Sequence, residues 1–289
     1  MRSAKIDPGK ITAEDISFKI APRLNAAGRM DHANTAYVLL SETDPAEAER
    51  LTNLLDEQNK QRQKKTEEVY RQARSLIEDP QAKAFYLYKE EWPAGLTGLI
   101  AGRMLKEYQR PCFILCFDGQ RIVGSGRAPQ YINILEAVKQ AEKDLIAYGG
   151  HPQACGFRLR ADKMNRVLKR IQTYIDKYSP KDFGKIDIMV DAQISFKDIT
   201  WDLANYLEKF EPFGQGNAKP LFYTPEVSIK DFKMVGKNAN HLKMYLSNAN
   251  KNFSAIAFNL PNHSLAIGNT IKIIYHLIIN QWNDNKNIE

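Results

Sequence analysis

Apolar and polar positions follow different periods in different parts of the chain. Between residues 81 and 182, short apolar runs alternate with stretches whose apolar residues recur at helical spacing. Strands are predicted at 84–88, 112–117, 122–124 and 157–159, and helices at 96–108, 132–148 and 164–178. The helix at 132–148 is predicted to end at two consecutive glycines. Alternating strands and helices predict an α/β domain over residues 81–182.

Beyond residue 225, apolar residues alternate with polar ones, which is the period of a half-buried strand. Strands are predicted at 226–235, 241–247, 253–258 and 270–279, and a fifth is predicted to begin at Asn287. Short strands without long intervening helices predict a small β-barrel of the oligonucleotide-binding (OB) type over residues 225–289. Residues 183–224 link the domains through a predicted strand at 186–190 and a predicted helix at 201–209.

Residues 45–80 predict one long helix, because Asp44 is a suitable N-cap and Pro45 a suitable first residue. Between residues 56 and 68 the helix has no apolar side chain. A helix that is polar on every side is typical of a connection between two packed bodies, although an ordinary surface helix is the alternative. Residues 1–44 are too few to bury a core, so they are interpreted as the remnant of an N-terminal body supplied by a longer chain or by another chain.

Composition limits the class of protein. The 289 residues are 43% hydrophobic and 26% charged, which excludes global disorder and predicts about two domains. A net charge of +7 suits a polyanionic partner without proving one. No apolar run approaches the roughly 18 residues of a membrane span, and no secretory leader opens the sequence. We therefore expect a cytoplasmic protein with no membrane partner.

Metal ligation by this chain is not expected. Cys112 and Cys116 lie among apolar residues on one face of a predicted strand, which favours buried, reduced thiols over a zinc site. Cys155 leaves the number of cysteines odd. Asp31 and His32 are adjacent and have no second carboxylate at a suitable spacing, so a metal site there is also disfavoured.

Three segments combine glycine with cationic or hydrogen-bonding side chains. One is Gly124-Ser-Gly-Arg127, and another is a predicted loop that contains Arg23, Asn25 and Arg29. Arginine binds phosphate through a planar fork of donors, and a serine hydroxyl adds a further one. The third segment, Gly149-Gly-His151, suggests a nest of backbone amides and an imidazole donor. The alternatives are ordinary turns and a glycine-ended helix followed by a structural histidine.

The predicted β-barrel offers basic and aromatic side chains for single-stranded nucleic acid. Such proteins combine a positively charged groove with aromatic rings on which bases stack. Aromatic residues on strands of this period are, however, also common in the core. The candidate groove residues are Lys233, Lys237, His241, Lys243, Tyr245 and Phe258.

Five motifs in order along the chain resemble the bacterial RecJ family of single-strand-specific DNA exonucleases. They are Ile20-Ala-Pro-Arg-Leu-Asn-Ala-Ala-Gly-Arg29, Trp92 with Gly95 and Leu99-Ile-Ala-Gly-Arg103, Gly124-Ser-Gly-Arg127, Gly149-Gly-His-Pro-Gln-Ala-Cys-Gly-Phe157 and Leu207-Glu-Lys-Phe-Glu-Pro-Phe-Gly-Gln-Gly-Asn217. The chain departs from many relatives in having Pro93 after the tryptophan and Cys155 in place of alanine, and Pro93 puts in doubt any contact made by the histidine of those relatives.

The resemblance implies that the α/β region is a DHHA1 domain, that the β region is an OB-fold, and that a DHH domain with the catalytic metal ligands precedes them. It also implies that Mn²⁺ or Mg²⁺ belongs to that missing domain, so we expect no cofactor on this chain. The residues implied for the DNA 5′-phosphate are Arg29, Ser125 and Arg127. Those implied for substrate binding beside the catalytic centre are Gly149, Gly150 and His151, with Gln153 of the same motif added as a candidate.

The expected function is therefore the C-terminal DNA-binding portion of a RecJ-like 5′→3′ exonuclease of DNA repair and recombination. Its partners would be single-stranded DNA, the DHH domain in cis or as a separate catalytic chain, and other repair proteins. The isolated chain is expected to be inactive. A free-standing single-strand-binding module is the alternative, as is a phosphodiesterase of short oligonucleotides, although the OB region and the segment 211–217 argue against the latter.

Overall fold

The protein is described here from a computed structural model, which covers residues 2–30, 32–180, 188–236, 239–260, 265–282 and 285–289. The chain divides into two compact units, Met1–Lys185 and Ile186–Glu289. Each unit has its own apolar core.

Three α-helices follow two short 3₁₀-helical turns, Arg2–Ala4 and Pro8–Lys10, near the start of the first unit. They are α1 (Ala21–Met30), which continues from a π-helical segment at Asp15–Ile20, α2 (Asn34–Ser41) and α3 (Pro45–Ser75). Helix α3 begins as predicted, with the Asp44 carboxylate accepting a hydrogen bond from the Ala46 amide at 3.0 Å. The prediction of a loop around Arg29 is wrong. This segment is helix α1, in which Ala26 and Ala27 are completely buried, and α1 packs on α3.

The polar part of α3 is less exposed than its composition suggests. Asn59 is only 3% exposed, and the Asp56 carboxylate accepts a hydrogen bond from Arg23 of α1 at 2.9 Å. Arg103 likewise forms an ion pair with Glu67 of α3. Ion pairs and hydrogen bonds thus replace the apolar stripe of an ordinary surface helix. That α3 connects two bodies stays a prediction.

The rest of the first unit is a mixed five-stranded sheet with helices on both faces. Its elements are β1 (Phe85–Tyr88), α4 (Ala94–Tyr108), β2 (Cys112–Phe117), β3 (Ile122–Arg127), α5 (Ile134–Lys139), β4 (Leu145–His151), β5 (Ala154–Leu159) and α6 (Met164–Tyr178). The strand order is β1-β2-β3-β5-β4, and the only parallel pair in this order is β1 with β2.

Strand β2 is buried on both faces and divides the core into two layers. Cys112, Ile114 and Cys116 pack in the layer of α3 and α4. Phe113 and Leu115 pack in the opposite layer, with α5 and α6. The uninterrupted apolar run of β2 follows from this position, since a strand covered on both sides has no polar face.

The predicted long helix at 132–148 is wrong in its second half. Helix α5 ends at Lys139, and Leu145 begins strand β4, which pairs antiparallel with β5. Cross-strand pairing thus overrides the helical spacing of the apolar residues in this segment. The two glycines at 149 and 150 therefore lie in a strand and do not end a helix.

The second unit is mainly antiparallel. It contains β6 (Ala192–Gln193), α7 (Trp201–Glu208), β7 (Phe222–Val235), β8 (His241–Asn248), β9 (Lys251–Ala257), β10 (Thr270–Tyr275), β11 (Ile279–Trp282) and β12 (Asn285–Ile288). The sheet has the order β10-β7-β8-β9, β6 adds to β7 in parallel, and β11 and β12 form a hairpin. The predicted small antiparallel β domain is thus confirmed, and β10 and β9 are the outer strands of this order in the described parts of the chain.

Two strand predictions in this unit need correction. The described residues of the predicted strand 186–190, which are 188–190, have no regular structure, and the pairing with β7 begins later, at Ala192. The predicted strand 270–279 is divided into β10 and β11. At the break, His276 turns away to bring Nδ1 within 2.8 Å of the Pro220 carbonyl oxygen.

None of the helices in the described residues combines the length and the apolar character needed to cross a membrane.

Replacing Gly126 should destabilise the first unit. A Cβ at this position would lie 2.7 Å from Ile134 Cδ1, 2.8 Å from Cys155 Sγ and 2.9 Å from a Phe113 ring carbon. Gly126→Ala should therefore cost about 1–3 kcal/mol, measured as a lower thermal or denaturant midpoint. Gly102→Ala is the matched control, because a Cβ there meets no atom within 4 Å. Equal stability of Gly126→Ala and the unmodified protein would contradict this packing.

Candidate functional site

Strand β3 carries the first pair of candidate residues, and its pleat separates glycines from polar side chains. Gly124 and Gly126 face the core, where a Cβ at Gly124 would overlap the Phe157 ring. Ser125 and Arg127 face the opposite side, towards α4. A Cβ at Gly98 of α4 would lie 3.0 Å from a terminal nitrogen of Arg127 and 3.2 Å from Ser125 Oγ. The two glycines of Gly124–Arg127 thus allow close packing on the core face of the sheet, and Ser125 and Arg127 place hydrogen-bonding side chains on the face towards α4.

Arg127 is held by contacts with its own strand. One terminal nitrogen donates to the Gly126 carbonyl oxygen at 2.8 Å and lies 3.3 Å from Ser125 Oγ. Burial lowers the pKa of Arg127, because a partly buried guanidinium loses hydration. The side chain is therefore oriented and partly desolvated.

Arg29 reaches the same place from the last turn of α1. Its terminal nitrogen donates to the Gly95 carbonyl oxygen in the first turn of α4, at 3.1 Å. The helices touch here, since a Cβ at Gly95 would overlap the Arg29 carbonyl oxygen and lie 3.1 Å from its Cα. The Arg29 charge adds to the lowering of the pKa of Arg127. Arg29, Ser125 and Arg127 thus meet around the first turns of α4.

Positive charge is concentrated around Arg29, Arg127 and the first turns of α4. Neither Arg29 nor Arg127 forms an ion pair with a carboxylate in the part of the chain that the structure describes. Helix α4 begins after Pro93 with no side-chain cap on its first amides. A helix N-terminus carries a partial positive charge, and guanidinium groups without acids add full charges. The arrangement suits an anion with several acceptor oxygens.

The segment Gly149-Gly-His151 belongs to the β4–β5 hairpin. Its glycines therefore do not form the predicted nest of amides after a helix. Gly150 pairs with Cys155 and has a φ of +147°, and a Cβ there would overlap the Ala154 carbonyl oxygen. The backbone conformation at position 150 therefore requires glycine. His151 and Gln153 lie together at the exposed turn, with 3.3 Å between His151 Nδ1 and Gln153 Oε1.

Gly149 has a different environment, which it shares with Gly156. The two residues are directly opposite each other, and Gly156 is also opposite Ser125, so all three lie on one face of the sheet. A Cβ at Gly149 would meet no atom within 4 Å, and one at Gly156 would meet only the Gly124 carbonyl oxygen, at 3.9 Å. We call this pair the glycine strip. Packing therefore does not require glycine at either position. Gly156 was not among the site residues predicted from the sequence.

The predicted groove residues of the second unit share one face of the sheet. Lys233 is opposite Lys243, Val235 is opposite His241, and Tyr245 is 47% exposed. The alternate residues of β8, Leu242, Met244 and Leu246, face the core. Tyr245 and Phe258 are thus surface residues and do not belong to the core. Phe258 packs edge-on against His241, and Lys243 pairs with Glu289 at 3.5 Å. Lys237 lies outside the described residues.

The described residues bring no three His, Cys, Asp or Glu side chains together in a way that could hold a metal ion. Asp31 lies outside them. Cys112, Cys116 and Cys155 are free thiols in the core. The donor set required by a divalent cation is therefore not found in the described part of this chain.

Comparisons with known proteins identify the class. Residues 81–177 match the DHHA1 domain family, and residues 190–289 match the RecJ OB domain family. The chain therefore carries a DHHA1 domain followed by a RecJ OB domain.

Curated relatives and solved structures agree with this class. The single-stranded-DNA-specific exonuclease RecJ of Bacillus subtilis is 30% identical over 287 residues, which are 97% of this chain and 36% of that protein. The Escherichia coli RecJ is 27% identical, over 99% of this chain and 52% of its own length. The chain thus spans between about a third and about half of the length of these relatives.

Similarity in structure is as extensive. The crystal structure of Thermus thermophilus RecJ in complex with Mg²⁺ superposes with a TM-score of 0.79 at 27% identity, over 96% of this chain and 42% of that one. A manganese-bound exonuclease RecJ gives a TM-score of 0.54 at 33% identity, over 61% of this chain and 44% of that one. The protein is RecJ-like over nearly its whole sequence.

The cysteines should be unreactive in the folded protein. Burial raises the pKa of the Cys155 thiol to about 12 and that of Cys116 to about 11, and it also raises the pKa of Cys112. Because the thiolate is the reactive form, Ellman's reagent at mildly alkaline pH should label none of them quickly. All 3 should react after denaturation. Rapid labelling of one thiol in the folded chain would contradict this burial.

Proposed function

We propose that this chain grips a single DNA strand and its terminal 5′-phosphate, as the DNA-binding portion of a RecJ-like 5′→3′ exonuclease of repair and recombination in the cytoplasm. The observation that supports this most strongly is the meeting of Arg29 and Arg127, from distant segments, beside Ser125 and the first turns of α4. The RecJ relatives are exonucleases specific for single-stranded DNA, which agrees with such a ligand.

A terminal phosphate would supply the negative charge that Arg29 and Arg127 lack in the described part of the chain. Its oxygens accept hydrogen bonds from guanidinium groups, from a hydroxyl and from backbone amides at a helix N-terminus. Its negative charge would also offset the mutual repulsion of Arg29 and Arg127, which have no carboxylate partner in the described residues. A neutral 5′-hydroxyl would offer neither effect.

The strand itself is proposed to follow the glycine strip. Gly149 and Gly156 leave an open surface on the face of the sheet to which the Ser125 side chain belongs. A surface without side chains lets a sugar–phosphate backbone approach closely. His151 and Gln153 are exposed at the end of this face and offer hydrogen bonds to the strand.

The OB domain is proposed to add contacts that do not depend on sequence. Lys233 supplies charge, Lys243 could do so by exchanging Glu289 for a phosphate, and the exposed rings of Tyr245 and Phe258 supply stacking surface. Binding through this face should weaken as salt increases, because phosphate contacts release condensed counterions.

Cleavage is proposed to need a DHH domain in cis or on a separate catalytic chain. The Thermus thermophilus structures contain Mg²⁺ or Mn²⁺, and the described residues of this chain do not provide a donor set for such an ion. The role of this chain is then to position the strand. A free-standing single-strand-binding module would use the same surfaces without a catalytic partner.

Arg127→Ala should remove most of the preference for a 5′-phosphorylated over a 5′-hydroxyl oligodeoxynucleotide. A hydrogen bond to a charged group contributes about 1.5–3 kcal/mol, so the preference should fall by about tenfold or more. Fluorescence anisotropy with a 3′-labelled strand measures both affinities. Arg160→Ala, which removes an exposed arginine paired with Asp162 at 3.0 Å, is the control. A preference that survives Arg127→Ala would contradict the assignment.

Filling the glycine strip should weaken strand binding without destabilising the fold. Gly156→Ala and Gly156→Val place increasing volume where no side chain is nearby, and valine favours a strand. We expect an unchanged thermal midpoint and an affinity for single strands that decreases from glycine to alanine to valine. Unchanged binding by Gly156→Val would show that the strand does not pass there.

A further inference from the structure

A shallow cavity lies on α6, beside the end of α5, and has no role in the proposed function. Its volume is about 350 Å³, within the roughly 300–1,000 Å³ of typical ligand sites. Helices α5 and α6 pack in the layer of Phe113 and Leu115, whereas Ser125 and Arg127 of the proposed phosphate site face α4. The cavity, which we call the α6 pocket, is thus on the opposite side of the sheet from that site. It is lined by Gln140, Arg170, Thr173, Tyr174, Lys177 and Tyr178.

Two tyrosines form an aromatic wall of the α6 pocket. Tyr174 and Tyr178 are one helical turn apart, and their ring centroids lie 4.5 Å apart with 41° between the ring planes. Tyr174 is partly buried and packs against the core, whereas Tyr178 is 50% exposed. A ring anchored in the core thus supports an exposed ring. Exposed aromatic rings are the surfaces on which nucleic-acid bases stack.

The charge of the α6 pocket is positive. None of its lining residues is an acid, and Arg170 and Lys177 are cations. Arg170 pairs with Asp144 at 3.2 Å, but the same carboxylate pairs with Arg166 at 2.7 Å, so one positive charge is left over. Lys177 lies 5.0 Å from the centroid of the Tyr178 ring and pairs with no carboxylate in the described part of the chain. Guanidinium and ammonium groups bind phosphate oxygens through charge-assisted hydrogen bonds.

Two neutral side chains add hydrogen-bonding capacity. Gln140, directly after α5, donates one amide hydrogen to the Glu136 carbonyl oxygen at 3.1 Å, and a side-chain amide has a second hydrogen and a carbonyl oxygen to offer. Thr173 donates its hydroxyl proton to the Lys169 carbonyl oxygen at 2.9 Å, and the hydroxyl oxygen can still accept. An amide that donates and accepts matches the polar edge of a base.

We infer that the α6 pocket binds a nucleotide, with the base against Tyr174 and Tyr178 and the phosphate at the cations that flank them. A nucleotide uses the rings, the amide and the cations together, whereas an acidic peptide would use the cations alone. A free nucleotide and a nucleotide unit of a single strand present the same groups. The inference goes beyond the proposed function and does not depend on it, because the two sites lie on opposite sides of the sheet.

Equilibrium dialysis of deoxyadenosine 5′-monophosphate against the full chain tests this pocket. The measurements use an Arg127→Ala background, so that the proposed phosphate site does not contribute. Deoxyadenosine lacks the phosphate and ribose 5-phosphate lacks the base. Each should bind about tenfold more weakly than the nucleotide, because each loses either the charge-assisted hydrogen bonds or the stacking.

Tyr178→Ala should lower the affinity for the nucleotide about tenfold, whereas Tyr178→Phe should retain it, because stacking needs the ring and not the hydroxyl. The thermal midpoint should not change, since Tyr178 is half exposed at the end of α6. Arg170→Gln should cause a similar loss, while Asp144 keeps Arg166 as a partner. Lys169→Gln is the matched control, because it removes the same charge from the adjacent position of α6, outside the lining of the pocket.

A 5′-hydroxyl oligodeoxyadenylate, measured by fluorescence anisotropy, distinguishes the two sources of the nucleotide. Weaker binding of the monophosphate by Tyr178→Ala assigns the pocket to a free nucleotide, and a loss confined to the oligonucleotide assigns it to a unit of the strand. Either result supports the inference. Binding of both ligands that is unaffected by Tyr178→Ala and Arg170→Gln would overturn it.

An acidic peptide is the competing ligand that the test must exclude. Hexaglutamate should not displace the nucleotide, because it offers no ring to the tyrosines. A loss of binding in Arg170→Gln without a loss in Tyr178→Ala, together with displacement by hexaglutamate, would make the pocket a general anion site and would also overturn the inference.

Discussion

The alternation of side chains along β3 is the constraint on which the candidate site depends. Gly124 and Gly126 must be glycine because Phe157, Phe113 and Ile134 already fill the space on the core face. The pleat then sends Ser125 and Arg127 to the other face, where Gly98 of α4 leaves them just enough room. The same residues that close the core therefore determine where the guanidinium group lies. A substitution that shifts the register of β3 would lose the packing and the site together.

Helix α4 brings the separate parts of the site together. Gly95 lets the end of α1 approach closely enough for Arg29 to reach the first turn of α4, and Gly98 admits the side chains of β3. The result is a concentration of positive charge that does not stabilise the chain by itself. Folded proteins tolerate such unfavourable arrangements mainly at functional sites, where a ligand compensates for them. The packing of α1, α3 and β3 around α4 supplies the stability that holds the arginines in place.

The sequence predicted the elements with strong periodicity and misjudged those governed by pairing. Strand β2 and helix α6 have the predicted bounds, because a doubly buried strand and an amphipathic helix leave clear patterns. Leu145 continues a helical spacing but belongs to β4, since cross-strand partners decide its conformation. The chemistry of two glycine-containing segments and the family resemblance, not periodicity, supplied Arg29, Ser125 and Arg127.

The central claim is that the terminal phosphate is bound at the start of α4, and a crystal structure of the chain with a short 5′-phosphorylated oligodeoxynucleotide tests it most directly. We expect the terminal phosphate within hydrogen-bond distance of Arg29, Ser125 and Arg127, with the following nucleotides along Gly149 and Gly156. A terminal phosphate bound instead at Lys233 and Lys243 of the OB domain, with the α4 region free of DNA, would contradict the account.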